Sequence, residues 1–424
     1  MLIEVSIGEA IDKLSILELK QKKITNVIKL EEVNKEIKVL SSCEKIKNQH
    51  KTYYKMLMYV NEQIWDLTDK IKEISSESQP GEYICLTESI FDFNQKRFRL
   101  KKIINHLCAS NIKEQKSYGE THCRIIVPDR ETLYQKLPEI NYLFIEYDIV
   151  TFETDIIEVK SIFPSFETDI HVNVTVNIKT FDIDPKLRNI FDFEPITYHA
   201  GGMLGDFIHF LSIINEKYLQ TGRKGTLYLM NKDTFRYGLE RAFADTYKFV
   251  MEQQYIHSFQ IHKGETTDVD LNDWRRSHLL YKVNWHFIFK DYYNVSWGVH
   301  PWILTNQVDI NLKDKILVCQ TSIRVREIDY PKFFQEHGLD ISEAIFLTQD
   351  ENQTSNDMPV HHVKSLDEMI IAINSCKLYI GNLSSPTAIA NALHKKSITL
   401  LSPILKEDNT HVHGLEKIVN TTIY

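Results

Sequence analysis

No two of the six cysteines (Cys43, Cys85, Cys108, Cys123, Cys319, Cys376) have CxxC spacing, so they offer neither a zinc site nor a disulfide framework. Basic charge is not in excess. The 50 Lys and Arg stand against 58 Asp and Glu, a net charge of −8, whereas a nucleic-acid binder is expected to carry a basic footprint. No run of about 18 apolar residues exists to span a bilayer. Met1–Val5 has no basic region leading into an apolar stretch, so no signal peptide is expected. What remains is 424 residues, 43% hydrophobic and 25% charged, an ordinary globular composition for two or three domains. The expected compartment is the reducing cytoplasm, with peripheral attachment to a membrane as the alternative.

Residues 1–118 read as almost wholly helical. Ser6-Ile7-Gly8-Glu9 fits a capping box, and Ile7, Ile11, Leu14, Leu17 and Ile24 form an apolar face with Asp12, Lys13 and Lys20 off it. Further helices are expected over 30–40, 53–74 and 83–107, with a break over 75–81, which contains Pro80-Gly81. The sum is a helical hairpin or bundle whose charges form a solvated face, with Glu9, Asp12, Lys13, Glu18 and Lys20 pairing at i, i+4 or lining a site. The stretch Ile7–Lys20 resembles the "GELIDKLTILEIK" opening of a bacterial domain family of unassigned function, and 103–118 is similar to that family's closing segment. The resemblance implies no activity. A role in homo-oligomer assembly or acceptor delivery is the expectation for these helices.

Residues 119–190 change texture: 124–127, 142–145, 156–159 and 171–176 read as strands of a small β-rich or α/β connecting module. From 191 onward strands and helices alternate, which argues for parallel, doubly wound sheets. Ile196–His199 reads as a strand, Gly201–Gly205 as a glycine turn, and Phe207, Phe210, Leu211 and Ile214 recur at helical spacing. In such sheets ligands bind beyond the carboxyl ends of the strands, where this loop falls. Asp206 lies on the helix's first turn, either as a reactive group or as a helix-start charge. The glycine spacing does not fit GxGxxG, which disfavours a dinucleotide oxidoreductase. The aromatic run Trp285–Tyr293, with Trp297 and Trp302, suits core packing or sugar stacking.

A second α/β half is expected over 306–424. Its strands are placed at 315–319, 344–348, 378–380 and 397–401, with a helix opened by Pro331 and another by the capping box Ser365–Glu368. Ser384, Ser385 and Thr387 fall at a helix N-terminus, where free N–H groups and the helix dipole favour a diphosphate. Thr321, Ser322, Arg324 and Arg326 follow the strand 315–319 and suit phosphate, and Glu351 suits ribose hydroxyls.

Gly202-Met203-Leu204-Gly205-Asp206-Phe207-Ile208-His209 resembles the "GxxGDxxH" start of the ADP-heptose:lipopolysaccharide heptosyltransferase family. Ile380–Leu393, which includes Gly381, Asn382, Ser384, Ser385 and Thr387, is similar to its "IGNDSGPMHLAAAL" segment. The resemblance spans roughly 194–405. It implies a GT-B architecture of two Rossmann-like domains facing a cleft, 191–305 on the acceptor side and 306–424 binding the donor.

The implied activity is transfer of a sugar from a nucleotide-diphosphate donor to a hydroxyl of a glycan or glycolipid acceptor, with no metal and no further cofactor. Asp206 would be the base, and Gly202, Gly205 and His209 the acceptor-side loop. Leu383 and Ala388 stand where the family has an acid and a histidine, and Ser385 where glycine is usual. These departures point to a donor other than ADP-heptose. They also motivate the alternative, a catalytically idle binding or scaffold protein that keeps the fold.

Overall fold

A computed structural model describes residues 4–74, 76–77, 79–112, 120–164, 172–230, 235, 237–280, 282–283, 285–320, 328–400 and 421–423. The chain divides into two compact units, Met1–Glu194 and Pro195–Tyr424.

The first unit opens with helices α1 (Ile7–Lys23), α2 (Val27–Val39), α3 (Cys43–Gln49), α4 (Lys51–Glu73) and α5 (Pro80–Leu107). Ser6 caps α1 by accepting the Glu9 N–H at 3.2 Å, but the Glu9 carboxylate reaches α5 and pairs with Lys101 at 2.8 Å. That substitution of partner is general here. Lys13 pairs with Glu36 at 2.8 Å and Glu18 with Lys47 at 2.5 Å, so several polar positions expected to pair along one helix instead tie different helices together. Asp12, expected on the outer face, is 1% exposed. It accepts from Arg97 Nε at 2.9 Å and from Asn61 Nδ2 at 2.9 Å, which satisfies a carboxylate that burial would otherwise penalise. Gly8 lets α1 and α5 cross closely, since a Cβ there would sit 2.6 Å from the Lys101 carbonyl oxygen.

The rest of this unit holds β1 (His122–Ile126), α6 (Arg130–Gln135), α7 (Leu137–Glu146), β2 (Ile149–Glu153), α8 (Val159–Ile162), β3 (Val174–Asn177) and α9 (Pro185–Phe191), with a parallel sheet in the order β2-β1-β3. Two expected strands are helical or turned. Residues 142–145 lie in α7, which starts at Leu137-Pro138 and is buried on most sides, and 157–158 form a turn into α8, which Val159 opens. A four-residue apolar run carries no periodicity that separates a buried helix from a strand.

The second unit contains two parallel sheets. Elements β4 (Ile196–Ala200), α10 (Leu204–Thr221), β5 (Gly225–Leu229), α11 (Leu239–Met251), β6 (Ile256–Ile261) and β7 (Val269–Asp270) form a sheet in the order β6-β5-β4-β7, followed by α12 (Trp285–Tyr293). Elements β8 (Ile316–Cys319), α13 (Tyr330–Glu336), β9 (Ala344–Thr348), β10 (Val360–His362), α14 (Leu366–Ser375), β11 (Leu378–Asn382), α15 (Ser385–Ala392), β12 (Ser397–Leu400) and β13 (Thr421–Ile423) form the other, ordered β10-β9-β8-β11-β12-β13. The expected pair of parallel α/β halves behind an N-terminal helical region is therefore present. Pro331 falls at the start of α13, and Ser365 caps α14 by accepting the Glu368 N–H at 3.1 Å.

The aromatic run divides: Phe289, Tyr293, Trp297 and Trp302 are buried in the core, while Phe287 and Tyr292 are exposed. The rings of Trp285, Trp297 and Trp302 surround His209, and the segment around Trp302 joins the two halves. Trp302 Nε1 donates to the Ile208 carbonyl at 2.7 Å, and its backbone N–H donates to the Ala392 carbonyl at 2.9 Å. One residue thus holds α10 and α15 to each other.

Candidate active site

Beyond β4 the chain turns sharply. A Cβ on Gly201 would lie 2.8 Å from the Met230 carbonyl oxygen, and its N–H donates to Asn272 Oδ1 at 3.2 Å. Gly202 has φ +102°, a conformation L-residues rarely adopt. Met203 then precedes α10 without a side-chain cap, so the helix start is left to ligands or water. Asp206, on that first turn, accepts from Arg275 Nη2 at 2.6 Å. Arg275 sits on a 3-10 turn, Asp273–Arg276, just past β7, with its guanidinium carbon 4.8 Å from the centre of the Trp274 ring and 5.6 Å from that of Phe210. Asn272, which holds Gly201, also accepts the Arg275 backbone N–H at 3.2 Å. Next to this, His199 Nε2 lies 3.1 Å from Asp270 Oδ1 and its Nδ1 2.5 Å from Thr267 Oγ1.

The second half contributes the end of β11 and the start of α15. Gly381 leaves room for the Tyr379 phenol, into which a Cβ would run. Burial holds that phenol protonated, far above its usual range, and its oxygen is 3.2 Å from Thr387 Oγ1. Thr387 donates to the Asn382 carbonyl at 2.5 Å, and Ser384 Oγ donates to the same oxygen at 3.0 Å. Two hydroxyls expected to face phosphate therefore brace their own turn. Ser384 gives α15 no side-chain cap, so what the helix start offers a ligand is backbone N–H groups beside the half-buried Ser385.

The two loops meet at Gly205. A Cβ there would lie 3.9 Å from Ser385 Cα and 4.0 Å from Ala388 Cβ. The first turns of α10 and α15 abut at Gly205, the residue before Asp206. Gly205 of the first motif and Ser385 of the second are thus brought into contact, with Gly202 and Asp206 on one side of the junction and Asn382, Ser384 and Thr387 on the other.

His209 is not at this junction. It lies one turn further along α10, with ring centres of Trp297 and Trp285 at 5.4 and 5.5 Å, and packs in the aromatic core. Glu351 is exposed on the turn after β9, at the same edge of the sheet as Ser384 but two strands from β11. Thr321, Ser322, Arg324 and Arg326 lie outside the described residues. The residue that sequence reading missed is Arg275, together with its support Asn272. Their signal is faint, since β7 is only two residues long.

Among the described residues no group of three or more His, Cys, Asp or Glu is placed to hold a metal ion, and no described helix is long and apolar enough to cross a membrane.

Residues 1–131 match a family of unknown function, DUF6165, which bears out the resemblance seen at Ile7–Lys20. No curated protein matches the chain. Solved structures with similar parts include the iron-containing dodecameric glycosyltransferase TibC of enterotoxigenic E. coli, 11% identical, with a TM-score of 0.35 and 49% of this chain covered. The chain spans 58% of that protein's length. The E. coli heptosyltransferase WaaC is 8% identical with a TM-score of 0.33, covering 54% of this chain and 92% of its own. A glycosyltransferase family 9 protein of Veillonella parvula is 13% identical with a TM-score of 0.35, covering 55% and 87%. Likeness at this level says nothing of donor or acceptor.

Proposed function

We propose that the Pro195–Tyr424 unit is a GT-B glycosyltransferase that moves a sugar from a nucleotide-diphosphate donor to a hydroxyl of a glycan or glycolipid. The observation that supports this reading is the contact of Gly205 with Ser385, which brings the first turn of α10, where Asp206 lies, against the first turn of α15. In the reaction the acceptor oxygen attacks the anomeric carbon while Asp206 takes its proton. The bond from that carbon to the diphosphate oxygen breaks, and the nucleoside diphosphate leaves with the electron pair. The N–H groups and dipole of α15 stabilise the charge gathering on the diphosphate, so the mechanism needs no metal. Leu383 and Ala388 favour a donor other than ADP-heptose.

The test is a thermal-shift screen against UDP-, GDP- and ADP-sugars, with a CMP-sugar as the monophosphate control, each with and without EDTA. A donor at 100 times its dissociation constant adds about 2.7 kcal/mol. For a unit of this size that is a rise of about 5–10 °C. Selective stabilisation by one diphosphate sugar that survives EDTA, with Asp206→Asn abolishing transfer but not stabilisation, is the expected result. A flat response to every sugar would instead support a binding or scaffold protein, a reading favoured by the inward-turned hydroxyls of Ser384 and Thr387.

A further inference from the structure

We propose that a cavity beside β7, at the edge of the first sheet of the Pro195–Tyr424 unit, binds an uncharged pyranose of the acceptor glycan, with Lys217 and Tyr292 as its main contacts. This rests on the transferase reading and adds to it a second place where the acceptor is held.

The cavity measures 340 Å³, and its lining includes Lys217 of α10, Asp268, Asp270, Asp273, and Tyr292 and Tyr293 of α12. Sites for small molecules start at about 300 Å³. The fold leaves polar groups of this lining unused. Lys217 is half-buried, and among the described residues its ammonium makes no hydrogen bond and no ion pair. Burial lowers its pKa, with no opposing carboxylate to raise it again. Tyr198 of β4 also lines the cavity; it is wholly buried, and its hydroxyl has no partner among the described residues. Polar groups taken from water without a bond are costly, and a ligand that supplies the bond recovers that cost.

The class of ligand follows from the mixture of charges. Three carboxylates and one ammonium line the cavity, so an anion meets the carboxylates and a cation meets Lys217. A sugar hydroxyl both donates and accepts, and so suits both signs. Lys217 supplies the donor. Asp273 supplies an acceptor, since its carboxylate is 37% exposed and pairs only with Arg276, at 3.1 Å, among the described residues. Tyr292, 39% exposed, offers an aromatic ring to the C–H face of a pyranose. Tyr293 is already committed: its hydroxyl donates to the Asp270 carbonyl at 3.0 Å and fixes the wall. That wall continues into the residues that hold the glycine loop, Asn272 bonding Gly201 at 3.2 Å and Arg275 bonding Asp206 at 2.6 Å. The cavity thus adjoins the acceptor side of the candidate active site without being part of the α10–α15 junction.

The test titrates the full chain with methyl glucoside and methyl galactoside, and with glucuronate and glucosamine as the anionic and cationic sugars, by ligand-observed NMR. In parallel, acetylation of lysines is followed by mass spectrometry with and without each sugar. At least one neutral glycoside should bind, and at twice its dissociation constant it should slow acetylation of Lys217 about threefold. The exposed Lys290 of α12 should be acetylated at an unchanged rate. Lys217→Met should weaken that glycoside about tenfold or more, as for a lost charged hydrogen bond, and Lys217→Arg should keep part of the affinity. Tyr292→Ala should weaken it about threefold or more. Lys290→Met should leave it within about twofold.

A lysine that merely lays its stem along the protein surface would give neither the protection nor the loss. Failure of both neutral glycosides to bind, binding that leaves Lys217 acetylation unchanged, or tighter binding of glucuronate or glucosamine than of either glycoside would each overturn the proposal. Nucleoside diphosphate binding to the same variants separates the two readings. If nucleotides bind and no glycoside does, only this cavity's role fails. If a glycoside protects Lys217 and no nucleotide binds, the transferase reading fails and the cavity stands as a saccharide site alone.

Discussion

Alanine at each of the three loop glycines should give three different outcomes, because each glycine is there for a different physical reason. At Gly205 an added Cβ meets Ser385 Cα at 3.9 Å and Ala388 Cβ at 4.0 Å, which is ordinary van der Waals distance. The residue is helical, so alanine gains about 0.5–1 kcal/mol of helix preference. In a unit of this size that is a rise of about 1–4 °C in Tm. At Gly201 the Cβ would stand 2.8 Å from a backbone carbonyl oxygen, and the loop must move. At Gly202 the cost has two parts: φ +102°, for which a side chain loses about 1–3 kcal/mol, and a Cβ 3.2 Å from Arg275 Nη2.

Thermal unfolding of the three variants, each also titrated with the stabilising nucleotide, reads this out. The expected order of stability is Gly205→Ala at or above wild type, then Gly202→Ala and Gly201→Ala below it. Nucleotide affinity should be kept in Gly205→Ala. A Gly205→Ala protein several degrees less stable than wild type would refute the packing described at the junction of α10 and α15.

Thr387→Val should lower stability by about 1–2 kcal/mol, as its hydroxyl bonds are internal, while leaving nucleotide affinity within about twofold; a large loss of affinity in calorimetry would return that hydroxyl to the donor site. Asp12→Ala removes the buried carboxylate that accepts from Arg97 and Asn61 and should cost about 1–3 kcal/mol in urea unfolding of the chain, an effect that exposed i, i+4 pairs would not give. His394 has its pKa lowered by burial, so the folded state favours the neutral ring. No penalty exists above the unfolded value of about 6.5, and one develops as pH falls below it because the unfolded chain takes up the proton first. The stability difference between wild type and His394→Gln should therefore shift in favour of the variant as pH is lowered from 7.5 to 5; a difference that stays constant across that range would remove His394 from the acid limb.

What could be read from the sequence followed the range of the interaction that fixed it. Ser365, Pro331 and the start of α10 are set by neighbours within four residues, and their elements formed as expected. The junction at Gly205 was reachable because each of its sides carries its own local motif. Asp12 was misplaced on the outer face because nothing within a helical turn of it shows that Arg97 and Asn61, 85 and 49 residues away, will arrive to satisfy a buried carboxylate. Thr387 was legible as a helix-start hydroxyl, but not that the Asn382 carbonyl would claim it.

Arg275 is the extreme case. It stands 69 residues from Asp206 and follows a strand too short to announce itself, and only the register of β7 against β4 brings the two together. A motif can thus give the carboxylate of a site while the residue that restrains that carboxylate is set by sheet pairing alone.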